Sequence, residues 1–203
     1  MIPHVPPTNN GVTSIRLSLG EASRGITLLG EGTPEHKILL LRGQLLLFRS
    51  IPGLLSGLER KPHNFVDNTV FMDSLRRGEF EPPLDTKRFE LDRTVRNLLA
   101  PDYKFELDGI QRFVNNMELL HTILASMADA RAKELRVTAN QAHGSSLTRL
   151  LGFAIGLDEK DQDRAKVRRQ VREFNKFVDR NEAGVRLEKI LQDICTRTDE
   201  RWT

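Results

Sequence analysis

Residues 36–58 read HKILLLRGQLLLFRSIPGLLSGL, and this stretch is the most apolar part of the 203-residue chain. Its first half contains two apolar blocks, residues 38–41 and 45–48, which are separated by three residues. A helix with apolar side chains on every side must be buried. Because Thr33-Pro34-Glu35 has the composition of a helix start, the sequence predicts a central core helix over residues 34–50.

Pro52 and Gly53 disfavour a helix, so the predicted core helix ends before them. Residues 51–62 are then expected to form a loop that is rich in leucine and ends on two basic residues. The side chains that give this loop its apolar and basic character are Leu54, Leu55, Leu58, Arg60 and Lys61.

The N-terminal region has a different pattern from the rest of the chain. Residues 1–12 are rich in proline and asparagine and are predicted to be flexible. Apolar residues alternate strictly over residues 14–19, which indicates a strand, and residues 26–29 favour a second short strand. We therefore expect a flexible, partly extended arm over residues 1–32, followed by a helical domain over residues 33–200.

Apolar residues recur at helical spacing through the remaining sequence. The longest pattern runs from Ile110 to Met127 and then shifts phase at Arg131. Together with the core helix, these patterns predict an all-α protein: a bundle of about six helices with a four-helix-bundle-like core. The further helices are expected at residues 64–77, 85–99, 108–141 and 159–180, and from residue 181 towards the C-terminus.

Composition excludes some classes of function. The net charge of +3 does not by itself require a nucleic-acid partner. Cys195 is the single cysteine, which rules out an internal disulfide and a four-cysteine zinc site. Because the sequence has neither a membrane-spanning apolar run nor a classical signal peptide, we expect a soluble cytoplasmic protein, with non-classical secretion into a host cell and membrane association as the alternative.

Basic residues recur every four positions in the predicted helix over residues 159–180. Four residues advance slightly more than one helical turn, so these bases wind around the helix. Two interpretations fit the pattern: a solvated face with i,i+4 ion pairs, or attraction to an anionic membrane, an acidic protein or nucleic acid. The five bases are Arg164, Arg168, Arg172, Lys176 and Arg180.

A second apolar stretch, LTRLLGFAIGL, occupies residues 147–157 and contains one base. Like residues 51–62, it fits either a short buried helix or a bundle tip that enters a membrane interface while its base meets phosphate. The side chains proposed for such a tip are Arg149, Leu150, Leu151 and Phe153.

No motif for catalysis is present in the sequence. It contains no phosphate-binding GxxxxGK[ST] or GxGxxG motif and no pair of histidines at HxxxH spacing, so we predict no cofactor and no metal. An enzyme without a readable motif remains a hypothesis, with His121 and Cys195 as its candidate dyad. The alternative is that Cys195 is a small buried hydrophobic residue.

The order of segments resembles the front part of a bacterial type III secreted effector. In that class, a polar secretion segment and a short extended segment that binds a dimeric chaperone precede a helical domain, which in several members targets membranes. The resemblance implies that residues 1–12 are the secretion segment and that residues 14–29 bind a chaperone. The apolar positions facing the chaperone would be Ile15, Leu17, Leu19, Ile26 and Leu28.

The first hypothesis is therefore a non-enzymatic targeting or interaction domain that binds anionic phospholipid or an acidic protein. The alternatives are a nucleic-acid-associated helical protein of a virion or regulatory complex, and an enzyme. The residues predicted to bind the membrane or partner are Leu54, Leu55, Leu58, Arg60, Lys61, Arg149, Leu150, Leu151, Phe153, Arg168, Arg172 and Lys176.

Overall fold

The computed structural model describes residues 11–21, 23–30, 37–60, 63–65, 67–80, 87–142 and 164–202, which form a mixed α/β fold. Within these residues the strands are β1 Val12–Ser18, β2 Arg24–Gly30, β3 Lys37–Ile38, β4 Leu40–Leu41, β5 Gln44–Phe48, β6 Lys87–Glu90 and β7 Thr198–Trp202. The helices are α1 Ile51–Arg60, α2 Thr69–Arg76, α3 Leu91–Leu99, α4 Leu107–Met127, α5 Ala130–Ala142, α6 Arg164–Phe177 and α7 Arg180–Thr196. The prediction of an all-α helical bundle is wrong.

The predicted core helix over residues 34–50 is replaced by strands β3, β4 and β5. Arg42 and Gly43 have φ angles of 50° and 78°, and Leu41 pairs with Gln44 across them. Two consecutive residues with positive φ are the requirement of a type I′ turn, whose twist matches that of a two-stranded hairpin. The short gap between the two apolar blocks is therefore a hairpin turn.

Strand β5 is buried on both of its faces. Leu45 and Leu47 point into one hydrophobic core, whereas Leu46 and Phe48 point into another. A strand covered on both sides needs apolar residues at every position, so its sequence lacks the polar alternation of a half-exposed strand. A short apolar run of this kind cannot be distinguished from a buried helix by periodicity, which is why the helix prediction failed.

The loop prediction is wrong for residues 51–60, which form helix α1, and the interpretation of this segment as a short buried helix is confirmed there by the burial of Leu54 and Leu58. The hydroxyl of Ser50 accepts a hydrogen bond from the Gly53 amide at 3.1 Å, which is the geometry of an N-cap. Pro52 then lies in the first turn, where backbone N–H groups have no acceptor within the helix. The N–H that proline lacks is therefore not needed there. Proline and glycine here start a helix.

One mixed sheet organises the fold, with strand order β4-β5-β2-β1-β6. Strand β3 also pairs with β2, and β7 pairs in parallel with β5. The two strands predicted in the N-terminal region are confirmed: β1 and β2 form an antiparallel pair, and β1 pairs in parallel with β6. The N-terminal strands are thus central to the sheet, with β6 at one edge.

The two faces of the sheet carry separate cores. The main core contains Ile15, Leu17 and Phe89 from the sheet, packed against buried side chains of α3 to α7. The second core contains Leu28 and Phe48, packed against α1 and α2. Because neighbouring residues of a strand point to opposite faces, β1, β2 and β5 each contribute to both cores.

The helix predicted over residues 108–141 is two helices, α4 and α5. Ala128 adopts the left-handed conformation at the end of α4, and the Asp129 carboxylate accepts from the Ala132 amide at 2.7 Å to begin α5. The phase shift noted at Arg131 marks this break. Arg131 is exposed and pairs with Asp193 of α7 at 2.9 Å.

The other helix predictions hold in part. Helix α3 begins at Leu91 rather than near residue 85, because residues 87–90 form strand β6. The predicted separation of a basic helix from a last helix is confirmed by α6 and α7. The apolar residues expected on the inner side of α7 are buried, namely Leu187, Ile190, Leu191 and Ile194.

Candidate functional site

The pairing of β1 with β6 brings two arginines together on the sheet. Arg16 of β1 is in register with Arg88 of β6, and both side chains are exposed. Residues in register on neighbouring strands lie on the same side of a sheet. Ile15 and Leu17, the neighbours of Arg16, point to the opposite side and enter the main core. The alternation of β1 therefore separates its basic residue from its apolar residues.

Arg24 and Ser18 extend this exposed region along the strands. Ser18 is in register with Arg24 on one side and with Glu90 on the other. The Arg24 guanidinium donates to the Ser18 hydroxyl at 3.1 Å and to the Gly20 carbonyl at 3.2 Å. A groove of about 350 Å³ lies over these residues. Its basic side chains are Arg16, Arg24, Arg49 and Arg88.

Helix α3 adds an ion-pair network beside the groove. Asp92 is only 8% exposed, and its carboxylate is 3.3 Å from the guanidinium groups of both Arg24 and Arg96. Arg93 pairs with Glu90 at 3.0 Å. A buried carboxylate is retained in a fold only when cations or hydrogen bonds compensate it. The network therefore holds α3 against the β1–β2 turn.

Two further depressions adjoin the groove: one lies between α3 and α4, and the other lies over Ser18, Arg24 and the start of α3. We define the basic face as the basic residues that line these three depressions, whose lining also includes two acids, Glu90 and Asp92. Eight bases against two acids leave more positive charge here than the +3 of the whole chain. Within the described residues, no carboxylate forms an ion pair with Arg16, Arg49 or Arg88. The basic face consists of Arg16, Arg24, Arg49, Lys87, Arg88, Arg93, Arg96 and Arg112.

A second depression, the α3–α4 cleft, lies at the outer edge of β6. Its volume is about 220 Å³, and its walls come from β6, α3, α4 and the loop before α4. Buried apolar side chains form its base: Phe89, Leu98, Phe105 and Phe113. Lys87, Arg93 and Arg112 stand among the residues that line it.

The polar groups of the α3–α4 cleft are held by neighbouring side chains. The Asn116 amide, 6% exposed, donates to the Thr94 hydroxyl at 2.6 Å and to the Glu90 carbonyl at 3.4 Å. The Tyr103 hydroxyl is hydrogen-bonded by Asn97. These bonds orient the amide and the phenol, so the cleft presents polar groups in defined positions.

Tyr103 remains protonated at neutral pH. Burial raises the pKa of its hydroxyl above the ordinary 10.0, and the Arg112 guanidinium and the Asn97 hydrogen bond oppose that rise. A protonated phenol donates one hydrogen bond. Gly109 of α4 makes room for this hydroxyl, because a Cβ at Gly109 would lie 3.0 Å from it.

A comparison with solved structures finds a protein domain with a similar fold. The chain resembles the SatS C-terminal domain. That domain, whose crystal structure was determined in complex with bromine, superposes with a TM-score of 0.57 over 94% of each chain. The identity is 14%, so the likeness shows the fold alone. A scan against protein families and a search of the curated proteins find no match to the sequence.

The structure separates the residues predicted to bind a partner. Leu54 and Leu58 are buried in the second core, and Leu55 packs against it. Arg60 is the last residue of α1, and Lys61 lies outside the described residues. The predicted tip at residues 147–157, with Arg149, Leu150, Leu151 and Phe153, also lies outside them.

The basic helix prediction places Arg168, Arg172 and Lys176 on α6, where all three side chains are exposed. The neighbouring Arg169 forms an i,i+4 pair with Glu173 at 3.0 Å, as the solvated-face interpretation expected. Arg180 has another role. It begins α7, and its guanidinium donates to the carbonyls of Ala100 and Tyr103.

Other predicted residues contribute to the chain's own packing. The apolar positions assigned to a chaperone are all buried, and β1 and β2 pair with strands of the same chain. His121 is 7% exposed, and Cys195 packs against the main core. In the described ranges, no cluster of three metal-ligating side chains converges, and no helix has the length and apolarity that a membrane span requires.

The sequence predictions missed the basic face because its residues are scattered along the chain. They come from β1, β2, the end of β5, β6, α3 and α4. A partial signal was available: the alternation over residues 14–19 puts Arg16 opposite the apolar side of the strand. The positions of the partner strands were not readable in the same way.

Proposed function

We propose that this chain is a non-enzymatic interaction domain that binds an acidic protein partner through the basic face. The observation that carries the proposal is the register of Arg16 with Arg88, which places two exposed arginines next to each other on the same side of the sheet. Guanidinium groups bind carboxylates with paired hydrogen bonds, and adjacent like charges favour an anionic partner. Arg24 and Arg49 extend the same charge along the groove.

The side chains around the groove favour a protein segment over a membrane as the partner. Binding at a membrane interface requires apolar side chains that protrude beside the bases. Among the described residues, the exposed large apolar side chains lie elsewhere, on α2, α4, α5 and α7. They are Val70, Leu107, Val137 and Val185, and none lines the groove.

The aromatic residues favour a protein partner over single-stranded nucleic acid. Binding of single strands relies on aromatic side chains that stack with bases between the cationic contacts. In the described part of the chain, every phenylalanine except Phe177 is buried, and Phe177 and Tyr103 are half-buried. The basic face thus provides charge and hydrogen-bond donors without an exposed stacking platform.

Fluorescence anisotropy with a labelled glutamate-rich peptide tests the proposal. We expect binding that weakens steeply with salt, because exposed charges are screened. The double variant Arg16→Glu/Arg88→Glu should bind at least about tenfold more weakly, since like charges would then face the peptide. The matched control is Arg168→Glu/Arg172→Glu, which makes the same charge change on exposed residues of α6.

Three outcomes contradict the proposal. The first is an absence of peptide binding at low salt, and the second is an equal loss of affinity in the control variant. The third is tighter binding to vesicles of anionic phospholipid, or to DNA or RNA, than to the peptide. Circular dichroism of both double variants verifies that they are folded, so that a loss of affinity reports on the charges.

A further inference from the structure

We infer that the α3–α4 cleft is a binding site for a small aromatic carboxylic acid. The cleft and the groove share Arg88, Phe89 and Glu90 of β6, but the inference rests on Arg112 and Tyr103, which line the cleft and not the groove. The inference therefore does not require the acidic protein partner. The volume of about 220 Å³ is slightly below the range of about 300–1,000 Å³ typical of drug-sized ligands. A small molecule is therefore the ligand that fits.

The apolar base of the cleft is the part that would contact the ring of the ligand. The Phe105 ring lies 5.2 Å from Phe113 and 5.0 Å from Phe174, both in edge-to-face arrangements. Phe105 and Phe113 are each no more than 2% exposed, so this base is rigid. A planar ring binds to such a surface through offset or edge contacts.

The polar end of the cleft is the part that would bind the carboxylate of the ligand. Arg112 is exposed on α4, and its charge lowers the pKa of the nearby Tyr103 hydroxyl. Guanidinium and phenol groups are both donors, and a carboxylate has lone pairs for both. Within the described residues, no carboxylate forms an ion pair with Arg112, whereas Arg93 is already bound by Glu90. We therefore assign the acid group to Arg112 and Tyr103.

The amides of the cleft restrict which acids fit. Asn116 and Asn97 are engaged by Thr94 and Tyr103, so their positions are set before a ligand arrives. Among the described residues, the side chain of Asn115, also in the lining, accepts one long hydrogen bond from Gln111 at 3.4 Å. Because these amides are held in fixed positions, the cleft favours a ligand that has one polar group, located at one end of the molecule.

Protein NMR with 3-phenylpropionate as the probe tests this inference. We expect saturable chemical-shift changes in the amides that line the cleft, with an affinity in the millimolar range typical of a few good contacts. The neutral amide of the same molecule, 3-phenylpropionamide, should bind at least about fivefold more weakly, because it lacks the charge that Arg112 recognises.

Two variants separate recognition of the acid from the shape of the cleft. Arg112→Gln should reduce the affinity for 3-phenylpropionate about fivefold or more and leave that for the amide nearly unchanged. Arg172→Gln, an exposed arginine on α6, is the matched control and should change neither. Tyr103→Phe should reduce the affinity for 3-phenylpropionate more than the affinity for 3-phenylpropionamide.

Several results would overturn the inference. They are an absence of saturable shifts at the solubility limit of the probe, shifts located outside the cleft, or equal affinity for the acid and the amide. Unchanged affinity in Arg112→Gln would also contradict it. The acidic-peptide assay tests Arg16 and Arg88, whereas this assay tests Arg112 and Tyr103, so a failure of one proposal can be distinguished from a failure of the other.

Discussion

The side-chain amide of Asn175 forms two reciprocal hydrogen bonds with the backbone of Phe105. Its oxygen accepts from the Phe105 amide at 2.9 Å, and its nitrogen donates to the Phe105 carbonyl at 2.9 Å. The same nitrogen also donates to the Val171 carbonyl on α6 at 2.8 Å. One side chain thus attaches α6 to the loop that forms a wall of the α3–α4 cleft.

Asn175→Ala is expected to destabilise the protein. The substitution leaves the amide and carbonyl of Phe105 without partners, and each unsatisfied buried group costs about 1–3 kcal/mol. We expect a loss of about 2–4 kcal/mol in the free energy of unfolding, measured by urea denaturation. Lys176→Ala, at the next position and exposed, is the control and should change little. A similar loss in the two variants would show that the Phe105 contact is unimportant.

Asn64 replaces strand hydrogen bonds where the edge of the sheet is interrupted. Its side chain accepts from the Leu40 amide at 2.8 Å and donates to the Ile38 carbonyl at 2.7 Å. Asn64→Ala should reduce stability by about 2–3 kcal/mol and increase hydrogen exchange at the Leu40 amide. Asn181→Ala, at an exposed position of α7, serves as the comparison. Unchanged exchange at Leu40 would contradict the assignment.

His63 should make stability depend on pH. Burial lowers the pKa of its imidazole below the ordinary 6.5, an effect opposed by a backbone hydrogen bond with Leu58. The unfolded chain therefore binds more protons than the folded chain below pH 6.5, so the free energy of unfolding falls as pH decreases. This contribution is complete above pH 6.5 and is lost progressively down to the lowered folded-state pKa.

Urea denaturation at a series of pH values measures this effect. His63→Asn removes the titrating imidazole, so the slope of stability against pH should be smaller in the variant than in the parent chain. The comparison is made between the ordinary pKa of 6.5 and the folded-state value below it. Equal slopes in the two proteins would show that His63 is not the group responsible.

Gly57 allows α1 to approach the sheet closely. A Cβ at this position would lie 2.5 Å from the ring of Phe48, which is 1% exposed and has no room to move. Gly57→Ala should therefore destabilise by about 1–3 kcal/mol through overpacking, although alanine favours helix. Gly53→Ala is the matched control in the same helix, because its Cβ meets only the Ser50 hydroxyl, at 3.2 Å. Greater destabilisation by Gly53→Ala would contradict this account of the packing.

The residues of the candidate sites show the limit of sequence interpretation. The i,i+4 spacing of Arg168, Arg172 and Lys176 correctly placed them on one helix, because that spacing is local. Arg16 and Arg88 are 72 positions apart and meet only through the parallel pairing of β1 with β6. Nothing in the local sequence encodes that register, so neither the groove nor the α3–α4 cleft was predicted.

The sequence alone determined those elements in which one face is apolar and the other polar. The alternation of Ile15 and Leu17 specified β1, and the helical spacing from Leu187 to Ile194 specified the buried side of α7. In an element with one buried and one exposed face, apolar residues recur with the period of the strand or helix, and the sequence shows that period. Only the tertiary structure decided that residues 37–48 are strands. Helices α1 and α2 cover one face of the sheet and α4 covers the other, so residues 38–41 and 45–48 are all apolar. A run without polar positions shows neither the alternation of a strand nor the spacing of a helix.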